Sequence, residues 1–261
     1  MSLNAIDRKK VILELLDING KVTSKELVTK LEVSSESVRR YLDELEAENK
    51  LRKVYGGAVR LEYDTIEPAH IKRNSTNTEE KKKIAKIASE FVKDNDSIVI
   101  DEGTTALQMI KYIVDRKNLT IVTSSCAALA QLIDYQNKEM FDGEIIFIGG
   151  KINTKHQRSA DAMSVEMMSN IFVNKAFISC EGVSDSFGVN SVDKDKALLS
   201  REYVKNSRKT ILLSDNSKIG MTTTYKVADI KDIDVIISDI DKPEEWTEKL
   251  EKSHTKWIKC D

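Results

Sequence analysis

Three cysteines in 261 residues, Cys126, Cys180 and Cys260, are too scattered and too odd in number to staple a fold or build a thiolate metal site. They read as the reduced thiols of a cytoplasmic protein. The histidines are equally few, and no metal-ligand spacing joins His70, His156 and His254. Neither a metal nor another cofactor is expected. No apolar run approaches a membrane span, and the opening residues MSLNAIDRKK hold no apolar signal core, so no membrane association is expected. Positive charge is not in excess. Forty-one Lys and Arg face 43 Asp and Glu, a net charge of −2. That excludes a chain coated in basic surface, but not a small basic module within it. The patterns GxGxxG and GxxxxGKS/T are both missing, which disfavours dinucleotides and nucleoside triphosphates.

What is present divides in two. Ile6, Val11, Ile12, Leu15, Leu16 and Ile18 trace the inner face of a helix that stops at Asn19-Gly20. Thr23-Ser24 then caps a short second helix, with Glu26 near the capping-box position and Leu27, Val28 and Leu31 inward. After Glu32-Val33, Ser34 caps a third helix whose Val38, Leu42 and Leu45 make one apolar face. Residues 1–50 thus read as helical, and a short helix, a tight turn and a helix with polar first turns is a helix-turn-helix pattern. Leu51, Val54, Val59 and Leu61 around Gly56-Gly57 suggest two strands, the wing of a winged helix.

This pattern gives Arg39 and Arg40 a role. They stand on the second helix of a helix-turn-helix, where phosphates and base edges are read. The candidate DNA-binding residues are Ser24, Ser35, Glu36, Ser37, Arg39, Arg40, Tyr41, Lys53, Tyr55 and Arg60. Arg39, Arg40, Lys53 and Arg60 are expected mostly on phosphates, and Ser35, Glu36, Ser37 and Tyr41 near bases.

Residues 62–78 are polar, carry Pro68 (one of two prolines) and read as a linker between a DNA-binding domain at 1–61 and a second domain at 79–261. From Glu79 onward strand-like runs alternate with helical ones: SIVI, TIVTSS, EIIFIGG, KAFIS, TILLSD and DVIISD, with TKWIK as a last edge strand. Such alternation predicts an α/β domain with a mostly parallel sheet.

Ligands of open α/β sheets bind beyond the carboxyl ends of the strands. Those ends supply the second candidate set: Asp101, Gly103, Thr104 and Thr105; Thr123, Ser124 and Ser125; Gly149, Gly150 and Lys151; Glu181; and Asp215 and Lys218. Thr104 and Thr105 at a helix start suit phosphate, Lys218 offers a point charge, and Asp101 and Asp215 can accept sugar hydroxyls. The loop from Lys151 to Ala160 adds Lys155, His156 and Arg158, either solvated or folding over an anion.

In the order of its motifs the chain resembles the DeoR family of transcriptional regulators. The N-terminal part rests on VSSESVRRYLDELEAENKLRKVYGGAV, and the rest on DEGTT, LTIVTSS, IIFIGG, KAFISCEGV, LLSDNSKIG and DVIISD. The resemblance implies a winged helix fused to a sensor domain similar in fold to ribose-5-phosphate isomerase. It implies a phosphorylated-sugar effector, a double-stranded DNA operator, a homodimer or homotetramer, and repression of a carbohydrate-catabolic operon. Departures fall at Ser37, Tyr41, Tyr55, Glu102, Asp161 and Glu181. Glu102 and Glu181 would place carboxylates in the effector pocket. The alternative is a sugar-phosphate isomerase-type enzyme with Asp101, Glu181 or Asp215 as the base, which leaves the winged helix without a role.

Overall fold

The computed structural model describes residues 5–19, 21–47, 50–60, 67 and 69–260. The chain divides into two compact units, Met1–Thr65 and Ile66–Asp261.

In the smaller unit, α1 (Ala5–Asn19) leads into β1 (Lys21–Thr23), α2 (Ser24–Leu31), α3 (Ser35–Ala47), β2 (Leu51–Val54) and β3 (Gly57–Arg60). The expected caps form. Thr23 and Glu26 close a capping box on α2, and the Ser34 hydroxyl accepts the Ser37 N–H at 3.2 Å. Glu32 turns the chain between the helices with φ of 51°. The helices close on a core of Ile12, Leu16, Leu27, Leu31, Val38, Leu42, Leu45 and Leu51. Gly20, Leu61 and the side chains of Ile6, Ile18 and Arg60 lie outside the described residues. The all-helical reading of residues 1–50 missed β1, which is too short to show a period. It exists because β3 offers an edge, pairing Lys21 with Val59 and Thr23 with Gly57.

The larger unit is a seven-stranded sheet, parallel at every pairing. In spatial order its strands are Lys256–Lys259, Val235–Ser238, Ser207–Leu213, Val173–Ser179, Ser97–Ile100, Thr120–Thr123 and Glu144–Phe147. Its inner strands are apolar on both sides because both faces are covered. Ile98, Ile100, Ile121, Phe177, Ile211 and Ile237 fill one core, while Val99, Val122, Ile178, Leu212 and Ile236 fill the other. The chain first builds outward from Ser97–Ile100, then returns to lay Val173–Ser179 against that strand's other edge. The topological switch point therefore lies between these two strands, the place where such sheets open a ligand crevice.

The polar stretch expected as a linker is only partly described; 62–66 and Pro68 lie outside the described residues. The described remainder is folded with the larger unit. It contains α4 (His70–Ser75) and leads into α5 (Thr78–Ser89). Glu67 and His70 are buried within the larger unit. This helix has no apolar stripe because charge, rather than hydrocarbon, holds it down.

Gly57 gives a direct test of the β1–β3 contact. A Cβ there would collide with the Val22 carbonyl oxygen, and backbone cannot step aside. Gly57→Val is expected to lower the stability of the winged helix by about 3 kcal/mol or more, measured by thermal denaturation of the smaller unit's signal.

Candidate functional site

On the smaller unit, α3 turns Ser35, Glu36, Arg39 and Arg40 to solvent, with Ser37 half-buried. Arg40 lies 3.9 Å from Glu44, a loose surface pair. Tyr55 stands 61% exposed at the wing tip. Three residues depart from the expected face. Tyr41 is buried, its hydroxyl 3.5 Å from Arg8 Nη1. It lies three residues after Val38, so its ring joins the apolar side and packs instead of reading bases. Lys53 pairs with Asp43, and its backbone N–H donates to Glu46 Oε1 at 2.7 Å. It braces the wing against α3. Ser24 is half-buried and ties α2 to the wing turn through its N–H to the Gly56 carbonyl, at 2.6 Å.

On the larger unit, a cavity of about 200 Å³ opens at the switch point. Gly103, Thr104 and Thr105 line it from one strand end, Glu181 from the next, and Asp215 and Lys218 from a third. Gly103 packs so closely on Ser179 that a Cβ would strike the serine hydroxyl. Asp215 accepts the Asn77 side-chain amide at 3.1 Å and the Ser217 N–H at 3.0 Å. The rest of the wall is unexpected. Lys72, Arg73, Thr76 and Asn77 come from α4 and the turn after it, and Lys81 from α5. The lining holds four cations, Lys72, Arg73, Lys81 and Lys218, against the carboxylates Glu181 and Asp215. Ser179 Oγ and Glu181 Oε2 are buried with no hydrogen-bond partner among the described residues. Cys180 also lines the cavity, and burial pushes its thiol up to about 12, which disfavours the thiolate.

The other expected residues do not line this cavity. Asp101 is buried behind it and accepts the N–H groups of Glu102 and Ser179 at 2.8 and 2.9 Å. Thr123 and Ser125 are spent on local structure, Ser125 capping the following helix through Ala128 and Thr123 accepting the Ser125 N–H, while the Ser124 carbonyl accepts the Ser159 N–H at 3.0 Å. Their strand is one step removed from the switch point. Gly149, Gly150 and Lys151 form a turn held by Asp161 and Ser164, with Lys151 N–H on Asp161 at 3.1 Å. Asp161 is thus the N-cap of the next helix.

Glu102 is not in the cavity either. It lies beside the cavity and is 1% exposed, with Arg73, Arg158 and Lys196 at 3.0, 3.2 and 3.0 Å. Burial pushes its acid up, but these three cations outweigh burial and hold it well below the usual carboxylate range. Lys196 also meets Glu181 at 2.5 Å, and Arg158 meets Glu67 at 2.7 Å and Asp193 at 3.1 Å. Arg158 and His156 are buried, so the loop does not hold them in solvent.

The sequence also matches known families along most of its length. Residues 8–63 match the DeoR-like helix-turn-helix domain, and residues 76–240 match the DeoR C-terminal sensor domain. The chain belongs to the DeoR family of transcriptional regulators. The regulator YulB of Bacillus subtilis is 33% identical over 233 residues, covering 89% of this chain and 88% of that protein. The repressor GlcR of the same organism is 28% identical, covering 89% and 88%. The lactose phosphotransferase system repressor of Staphylococcus epidermidis is 29% identical, covering 91% and 93%. Ribose 5-phosphate isomerase A of Methanocaldococcus jannaschii superposes on 55% of each chain at 18% identity, with a TM-score of 0.40.

This DeoR-family chain is a DNA-binding regulator and not an enzyme, so the isomerase alternative falls. Among the described residues no helix is long and apolar enough to cross a membrane. Sequence reading missed Glu67, Arg73, Lys81 and Lys196. Their one signal was charge in otherwise helical or linker-like stretches, which alone reads as solvated surface.

Two outcomes follow from this charge cluster. Lys196→Met leaves Glu102 and Glu181 buried with fewer counter-charges and is expected to destabilise the larger unit by about 3–5 kcal/mol, read from its denaturant midpoint. His156 is held neutral by burial and by Arg158 and Arg73, its pKa brought down to about 4 from 6.5. Unfolding then takes up a proton, so this stabilisation is complete above pH 6.5 and is lost as the pH falls toward 4. His156→Gln is expected to flatten that limb of the stability–pH curve.

Proposed function

We propose that this regulator is a repressor of a carbohydrate-catabolic operon whose DNA affinity is altered by a phosphorylated sugar bound in the switch-point cavity. The observation that carries the reading is the lining of that cavity. Four cations line the same cavity as Thr104 and Thr105, which open a helix, and this combination suits a phosphate. Glu181 Oε2 and Ser179 Oγ supply unpartnered buried groups that sugar hydroxyls would satisfy. The names of two relatives, a lactose phosphotransferase system repressor and the repressor GlcR, fit the same sense of regulation.

In this reading α3 enters the major groove of a double-stranded operator. Arg39 and Arg40 take phosphates or guanine edges, and Ser35, Glu36 and Ser37 lie near bases. A homodimer or homotetramer in the cytoplasm presents paired winged helices to a repeated site. The effector acts only through a difference in affinity between the DNA-competent and DNA-released arrangements.

Fluorescence anisotropy on DNA from upstream of the chain's own gene tests this, with and without a panel of sugar phosphates at fixed salt. One sugar phosphate is expected to weaken binding specifically. Binding that no panel member changes would sink the effector assignment. Arg40→Ala is expected to weaken operator binding about tenfold or more and to leave effector binding intact. Thr104→Ala with Thr105→Ala should do the reverse, abolishing the effector response while DNA binding persists.

A further inference from the structure

We propose that Arg73 senses the anion. An anion entering the cavity draws the Arg73 guanidinium from Glu67 and so unclamps the segment through which the α/β unit follows the winged helix. This rests on the reading of the cavity as an anion site and adds how occupancy leaves it.

Arg73 belongs to two environments at once. It lines the cavity, and its Nη2 lies 3.0 Å from both Glu67 Oε1 and Glu102 Oε2. One nitrogen is thus shared by two carboxylates, while Arg73 Nε is buried with no hydrogen-bond partner among the described residues. A guanidinium fork used this way is under-satisfied, and a phosphate or sulfate offers it several oxygens in bidentate geometry.

The two carboxylates would not lose equally. Glu102 keeps Arg158 and Lys196. Among the described residues Glu67 keeps one ion pair, with Arg158, and Lys196 acts on it from further off, while His156 Nδ1 at 3.5 Å is held neutral by its surroundings. The groups that act on Glu67 are Arg73, Arg158, His156, Glu102, Lys196 and Glu181. Burial and the negative charge of Glu102 already push its acid up to about 7. Without Arg73 it must take a proton or move toward water, and either weakens its hold on the loop that carries Arg158.

Position makes this consequential. Glu67 stands seven residues after Arg60, the end of β3. Next to it, the His70 N–H donates to the Lys155 carbonyl at 3.1 Å, tying the start of α4 to the same loop. This clamp falls between the regions matched by the two family domains, residues 8–63 and 76–240.

The test uses the full chain and sulfate, a phosphate mimic that does not titrate near neutrality, against chloride at equal ionic strength. Hydrogen exchange of the wild-type chain should slow at Gly103–Thr105 and quicken across residues 67–75. Glu67→Gln should bind sulfate about tenfold more tightly by thermal shift, because the competing carboxylate is gone. Its α4 exchange should be fast already and unmoved by sulfate. Lys218→Ala should weaken sulfate binding. If sulfate protects the cavity while exchange at 67–75 holds or slows, and Glu67→Gln binds it like wild type, the clamp is wrong and the anion site stands. If no Lys218-dependent shift or protection occurs, the anion site is wrong and the clamp falls with it. Should Glu67→Gln not fold, wild-type exchange decides alone.

Discussion

Glu102 sits at the end of the strand Ser97–Ile100, beside the switch point, nearly without access to water. A lone carboxylate in that place would be costly to ionise. Arg73, Arg158 and Lys196 make it tolerable, and each comes from a different part of the chain: α4, the short strand Arg158–Ser159, and the helix Lys194–Lys205. The same three cations fix Glu67, Glu181 and Asp193. The wall of the cavity, the placement of α4 and the burial of the loop at Arg158 all depend on this balance of charge.

Such a network is not a large net source of stability, since desolvation offsets much of the attraction. Its contribution is geometric. Ion pairs are directional, and a guanidinium shared between Glu67 and Glu102 sets where α4 lies against the strand ends. The cavity is therefore bounded on one side by rigid strand ends and on the other by a helix held through ion pairs. An anionic ligand would compete for those same cations.

The winged helix follows different physics. Its core is hydrocarbon, its turns are capped by Thr23, Glu26 and Ser34, and its exposed α3 face carries the groups suited to DNA. The Lys53–Asp43 pair joins the wing to α3. Tyr41 changes from reader to packing residue, because a ring three positions from Val38 finds the core before it finds solvent.

Local pattern in the sequence was enough for the helix-turn-helix, the wing, the alternation of strands and helices, and the polar strand ends Gly103–Thr105, Glu181, Asp215 and Lys218. Period, capping and β-propensity are properties of neighbouring residues, so a single chain displays them openly. The identity of Glu102 as a buried hub, the absence of Thr123–Ser125 and Gly149–Lys151 from the cavity, and the recruitment of Lys72, Arg73 and Asn77 to its wall were decided only in three dimensions. They depend on which strand ends meet at the switch point and on which distant cations reach a buried carboxylate. Those contacts span 94 positions between Glu102 and Lys196 and 138 between Asn77 and Asp215, and no local signal records them.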